Sequence, residues 1–404
     1  MENIEKNDLS PMLLFLLTLG AAISVSTLYY TQPMLGLIRS EFHASVTTIG
    51  LIPSVTQIGY AIGLFFLAPL GDRYDRKTII LVKLCALLIA LALSLLSTNL
   101  TMLIAASFIT GIVATAAQDF VPAVAILSPS HSRGKNLGIV MTGLMLGILL
   151  SRVISGFISE NYGWRMVFVF ALTAIGFLLL LSYKMLPKFE PTTSYTYKKL
   201  MFSLFELIAK YRALRVVTLS QALLSLAFSA FWTTLAVVLQ DQFQMGAGAA
   251  GAFGLAGAAG ALAATLGGRL SDRFGPLYVS YAGSAIALVS FALLFFTDSI
   301  TPDSRFMLLI ICAVGFDFGV QASLVAHQSI MYGLDSGARS RLNAIFATGL
   351  FLGMATGSVA GGFIYANYQT RGLAILMTSS CALAIVLKMW QLRSKALLGR
   401  IPAA

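Results

Sequence analysis

An all-α membrane protein, with twelve transmembrane helices in two six-helix pseudo-symmetric halves, is the fold class this sequence predicts. Three observations carry the expectation. Hydrophobic residues make up 58% of the 404 positions and charged residues 11%, whereas a soluble domain devotes about a quarter of its residues to charge. The apolar residues gather in continuous runs, each close to the roughly 20 residues that a helix needs to cross a bilayer. A charged turn, Ala68-Pro-Leu-Gly71-Asp72-Arg73-Tyr74-Asp75-Arg76-Lys77, returns at half the chain's length as Gly268-Arg-Leu-Ser-Asp272-Arg273-Phe274-Gly275-Pro276. Repetition at that period marks two copies of one unit.

Twelve apolar runs can be drawn, at 11 to 34, 47 to 70, 78 to 97, 100 to 124, 137 to 158, 165 to 184, 216 to 240, 247 to 270, 277 to 297, 305 to 328, 342 to 365 and 372 to 391. They are continuous, not alternating, which argues against a β-barrel. The predicted divisions are an N-terminal half, 1–184, a cytoplasmic linker, 185–215, and a C-terminal half, 216–404. A net charge of +11 could suggest nucleic acid, but the placement of the bases is topological. Of the 27 Lys and Arg, 22 fall on one side, Lys83 and the tail from Lys388 among them. The positive-inside rule then puts both termini and the linker in the cytoplasm of a plasma (inner) membrane protein. Run one is too long for a cleaved signal. Cys85, Cys312 and Cys381 lie singly inside runs, so neither a disulfide framework, a metal site nor a cofactor is expected.

Taken in order, run one carries Tyr29, Tyr30 and Gln32 before Pro33. They read equally as interfacial anchors or as substrate contacts in a central cavity. Run two holds Gln57 and Tyr60, and then the charged turn. The order small-x-x-x-Asp-Arg-x-x-basic-basic resembles the G-x-x-x-D-[RK]-x-G-[RK]-[RK] signature between the second and third helices of the major facilitator superfamily of secondary transporters. The copy after run eight resembles that family's echo between helices eight and nine. Ala68 and Asp75 replace the two glycines of the first copy, and Pro276 replaces the first basic residue of the second. The resemblance implies alternating access, with Asp72, Arg73, Arg76, Asp272 and Arg273 as cytoplasmic gate residues.

In run four the family's R-x-x-x-G, linked to proton handling, reads Ser107-Phe-Ile-Thr-Gly111, without the arginine. Asp119 near the end of this run is read as a gate partner of Arg76, with proton carriage as the alternative. Run five aligns without gaps from Arg133 to Ile158 onto Arg339 to Ile364, with 11 of 26 positions identical. Its spaced Gly143, Gly147 and Gly156 resemble the helix-five motif of drug/proton antiporters, though Ile148 replaces the motif's proline. The linker is a basic amphipathic segment suited to the inner leaflet. Run eight, with Gly or Ala at 18 of 23 positions from Gly246 to Gly268, is expected to pack closely on run five. Run ten contains Asp317, roughly 18 Å along a helix begun at Arg305, and Gln321.

Asp317 is the only acid deep in a run and Arg152 the only deep base. They are expected to form the functional centre, with Asp317 titrating a proton and Arg152 as its partner or an anion contact. A permanent structural salt bridge is the competing reading, because intramembrane charges pair simply to be tolerated. Tyr29, Tyr30, Gln32, Gln57 and Gln321 complete the expected substrate cavity. The implied function is proton-coupled export of small amphipathic compounds, the partners being substrate, protons and the lipid bilayer, with a monomer expected. Uptake of a small anionic metabolite, with Arg152 on its carboxylate or phosphate, is the alternative. A membrane receptor or enzyme is the reading from a different class. No phosphate-binding glycine loop, H-E-x-x-H or added soluble domain supports it.

Overall fold

The computed structural model describes residues 9–129, 131–191, 196–335 and 338–398. Helices account for its regular structure, with no strand among the described residues. Ten of these helices are long and apolar enough to cross a membrane. The longest, Arg339–Leu398, contains Gln369 at φ 52°, ψ −154°, a left-handed backbone that interrupts helical geometry between runs eleven and twelve. Gln242 braces this corner by donating to Thr370 Oγ1 at 2.8 Å.

Run one and run eight, each a single apolar run in the sequence, are divided in the structure. Run one is divided into Pro11–Ser26 and Thr31–Glu41. Pro33 has no N–H to offer the carbonyl of Tyr29, and the N–H of Gln32 takes that carbonyl at 3.2 Å instead. The polar cluster Tyr29-Tyr30-Thr31-Gln32 therefore occupies a break in the helix. Run eight divides into Ala247–Ala252, a 3₁₀ turn Phe253–Ala256, and Gly257–Phe274, in keeping with the low helix propensity of its glycines.

The chain forms two compact units. One comprises 1–44, 55–201 and 245–254, and the other 45–54, 202–244 and 255–404. Within each, the glycines of run five or run eleven let two backbones meet. In the first unit, a Cβ on Gly143 would stand 2.3 Å from Thr18 Cγ2, and one on Gly147 would stand 2.5 Å from the Ala22 carbonyl oxygen. In the second, a Cβ on Gly349 would run into Thr218 Cγ2 and one on Gly353 into the Ala222 carbonyl oxygen. The same residue types recur at the same places, so the repeat read from the charged turns extends to the packing.

Gly156 alone among the run-five glycines meets run eight, its missing Cβ lying 2.8 Å from Gly251 Cα. Gly143 and Gly147 pack on run one, which narrows the expected contact between runs five and eight to a single crossing. In the second unit, a Cβ on Gly362 would lie 2.9 Å from the Val46 carbonyl, and Ser54 Oγ donates to the Ala355 carbonyl at 2.9 Å. Each unit thus takes in a short stretch from the far part of the sequence.

Candidate functional site

The first charged turn is held as a closed network inside the first unit. Leu70–Arg73 forms one helical turn, and Asp75 caps the next helix, Arg76–Leu95. This geometry sends the Arg76 guanidinium back over Gly71. Its Nη2 donates to the Gly71 carbonyl at 2.9 Å and to Asp72 Oδ1 at 3.2 Å, and its Nη1 reaches Asp119 Oδ1 at 3.4 Å. A Cβ on Gly71 would come within 2.8 Å of Nη1, so Gly71, at a variable position of the motif, makes room for the guanidinium. The other oxygen of Asp119 accepts from Lys83 Nζ at 2.6 Å. Two acids and two bases balance each other, and Arg76, Lys83 and Asp119 are all at most 5% exposed.

Lys83, counted among the cytoplasmic bases by its position in the sequence, is buried in the structure. It lies on the buried face of its helix with Arg76, Ile80, Leu84 and Leu87, a spacing of three and four that could have revealed it. Arg73 lies over the Tyr74 ring at 5.6 Å. Asp75, where the family signature has glycine, accepts from the N–H groups of Lys77 (3.1 Å) and Phe189 (2.8 Å) and from the Thr78 hydroxyl (2.8 Å). Partial burial pushes its carboxyl up, but these hydrogen bonds outweigh that and hold it below the usual aspartate value.

The second copy of the turn is built differently. Asp272 and Arg273 are exposed. Asp272 makes no hydrogen bond or ion pair among the described residues, and Arg273 lies over the Phe274 ring at 5.1 Å. Gly275, at φ 88°, ends one helix and begins the next, a backbone that favours glycine.

The deep charges sit among polar and small residues. Arg152, 2% exposed, donates from Nε to Gln32 Oε1 at 2.9 Å, and its guanidinium lies 4.9 Å from the centroid of Tyr29. The helix break at Tyr29–Gln32 brings both groups to it. Gly254 provides the space beside it, since a Cβ there would stand 2.9 Å from Arg152 Cβ. Tyr60 is buried and accepts from Gln118 Nε2 at 3.1 Å, and Tyr30 and Gln57 are also buried. In the second unit, Asp317 lies midway along Pro302–Tyr332 and is 3% exposed. Gly260 packs against it. A Cβ there would meet Asp317 Oδ2 at 2.8 Å and Gln321 Cγ at 2.9 Å.

A family model described as the Major Facilitator Superfamily matches residues 14–335. The chain belongs to the major facilitator superfamily. It is 32% identical over 386 residues to an uncharacterized transporter, YgaY, of Escherichia coli O157:H7, which covers 95% of this chain and 96% of that protein. A probable transporter of Streptomyces coelicolor is 29% identical, covering 89% and 82%. Among solved structures, a bacterial homologue of the human lysosomal transporter Spinster, inward-facing and unoccupied, matches with a TM-score of 0.74 at 18% identity over 100% of both chains. A mutant of the nucleoside transporter NupG matches with 0.77 at 12%, covering 93% and 99%. At these identities the structural likeness speaks for the fold alone. As a major facilitator protein, the chain is a membrane transporter, and its first signature turn is a charge-balanced network despite having lost both glycines of the motif.

Proposed function

We propose that this transporter couples proton movement to the export of small amphipathic compounds by alternating access, across the plasma (inner) membrane and as a monomer. Twelve crossings with both termini and the 185–215 linker in the cytoplasm complete this reading. It rests on Asp317, a buried carboxylate midway along an apolar helix, because ionisable groups held at such depth mark relays or substrate pathways. Asp317 takes the role of proton carrier and Arg152 that of the cationic contact. Tyr29, Tyr30, Gln32, Gln57 and Gln321 supply polar and aromatic substrate contacts. Asp72, Arg76 and Asp119 form the cytoplasmic gate, with Arg73, Asp272 and Arg273 in lesser roles. The gate and the deep charges together favour the drug/proton antiporter branch.

The decisive experiment is a substrate screen in proteoliposomes with an imposed pH gradient, run on wild type and Asp317→Asn. Wild type should concentrate substrate against its gradient. Asp317→Asn should lose gradient-driven accumulation and retain substrate exchange. Accumulation by Asp317→Asn at the wild-type rate would place proton coupling elsewhere. A second reading, uptake of a small anionic metabolite, draws on the neutral amide and aromatic setting of Arg152, and inward accumulation of a carboxylate or phosphate compound in the same screen would favour it.

A further inference from the structure

Lys388 stands in the second unit as a buried lysine answered by no carboxylate among the described residues. The sequence places it at the start of a cytoplasmic tail, but it is 3% exposed and belongs to the inward face formed by Met377, Cys381 and Ala384. Its Nζ donates to the Ser280 carbonyl at 2.8 Å and contacts Ser284 Oγ at 2.7 Å, 5.0 Å from the centroid of Tyr281. The groups packed around it come from four runs. Run nine supplies Ser280, Tyr281 and Ser284. Run ten supplies Ser323, whose hydroxyl reaches Ser284 Oγ and the Ser280 carbonyl, each at 3.3 Å. His327 of run ten and Cys381 of run twelve lie within reach of the Lys388 charge. Run seven supplies Gln221, whose Oε1 is 2.9 Å from His327 Nδ1, while His327 Nε2 and Gln221 Nε2 have no hydrogen-bond partner.

In the first unit a buried lysine is answered by a counter-charge, Lys83 pairing with Asp119 at 2.6 Å. An ammonium moved into an apolar interior without a counter-ion carries a penalty of several kcal/mol. Around Lys388 there are only neutral acceptors, and the hydroxyls among them can reverse. With the ammonium present, Ser284 Oγ accepts from Nζ. When one N–H bond breaks, its electron pair stays on nitrogen and the proton leaves to bulk water. The Ser284 hydroxyl can then rotate to donate to the amine lone pair. That hydroxyl, which otherwise donates to the Ser280 carbonyl at 2.8 Å, leaves the carbonyl the Ser323 hydroxyl as a donor, so Nζ keeps a hydrogen-bond partner in either protonation state. At Gly283 a Cβ would stand 2.5 Å from the Gly319 carbonyl and 2.6 Å from Ser323 Oγ, so runs nine and ten touch along their backbones beside the site.

We propose that Lys388, seated on Ser280 and Ser284, is a reversible proton-binding site of the second unit, separate from Asp317. The inference does not depend on Asp317 being the coupling group. It is tested by NMR of full-length protein in lipid nanodiscs with lysine labelled at the ε-carbon, titrated over the pH range in which the protein remains folded. The Lys388 resonance is identified by its absence from Lys388→Met, or from Lys388→Arg should the methionine variant fail to fold. The expected result is one resonance that shifts reversibly as a one-proton curve, in wild type and in Asp317→Asn alike. A resonance fixed at the ammonium position, or fixed at the amine position, across that range overturns the proposal. Loss of gradient-driven transport in Asp317→Asn with the Lys388 titration intact separates the two sites.

Discussion

Asp119 shows why charge position in a sequence underdetermines charge role. Its depth and sign suggested a partner for Arg76, and that contact is present, but the shorter bond is to Lys83. Lys83 and Lys388 were assigned to the cytoplasmic face because the positive-inside rule counts bases by sequence position. Which face of the helix each base occupies is settled by packing, and a spacing of three and four among apolar neighbours was the available signal. Removing one partner of a buried pair costs about 3–5 kcal/mol, because the other charge is left unanswered. Lys83→Met should therefore lower the thermal midpoint well below that of Lys135→Met, a change at an exposed lysine, and equal midpoints would remove the charge-balance argument. Asp72 is less buried, at 27% side-chain exposure, and shares Arg76 with Asp119 and the Gly71 carbonyl. Asp72→Asn should thus insert and fold normally while slowing turnover, and Asp272→Asn, at a residue without a bonded partner among the described residues, should slow it less. Full transport by Asp72→Asn would exclude the gate role.

Elements were legible wherever apolar length decided them and were misjudged where polar or glycine-rich detail did. Runs one and eight read as uniform spans, yet Pro33 breaks the first and the glycine-rich stretch of the other turns to 3₁₀ at Phe253–Ala256. The repeat predicted that runs five and eleven are equivalent, and the paired contacts Thr18 with Gly143 and Thr218 with Gly349 show the same arrangement in both units. Gly353→Ala would drive a methyl group into the Ala222 carbonyl. Overpacking of this kind costs roughly 1–3 kcal/mol, so a reduced unfolding temperature is expected, and Gly147→Ala should reproduce it in the first unit. Asp75 explains one departure from the family signature, since it caps its helix and holds Phe189 at the start of the linker. Asp75→Gly restores the signature residue but should speed hydrogen exchange at 186–191, with a cap loss of only about a few tenths of a kcal/mol. Because the Asp75 carboxyl is held below its usual value, its contribution is complete above the ordinary aspartate pKa of about 3.9 and is lost as pH falls through the lowered one. Exchange at 186–191 that is unchanged in Asp75→Gly would mean that Lys77, which donates to the Leu186 carbonyl at 2.6 Å, holds the segment by itself.

At the scale of the molecule, composition and the repeated turn were enough to reach the superfamily, because both are properties of sequence alone. The substrate was not legible, since recognition is set by how side chains converge in space, as Arg152, Tyr29 and Gln32 do in the structure, and spacing along the chain does not show which ones meet. The linker is where the organisation of the whole chain can be tested. Its helix, Tyr197–Lys210, buries Leu200, Leu204 and Leu207 and exposes Phe202 and Phe205. The boundary between the two compact units falls inside it, between Met201 and Phe202. Tyr197 donates to the Phe66 carbonyl at 2.9 Å in the first unit, while Arg215 holds the carbonyls of Ile208 and Ala209, each at 2.8 Å, in the second. A cut placed between 191 and 196 keeps this helix whole, so co-expressed 1–191 and 196–404 should assemble and transport at a fraction of the wild-type rate. Deleting 196–210 as well removes the buried leucines and the Tyr197 bond, and recovery of assembled protein should then fall several-fold. If the first pair assembles stably yet transports nothing, an unbroken connection is required for turnover, and the linker must be assigned a part in gating.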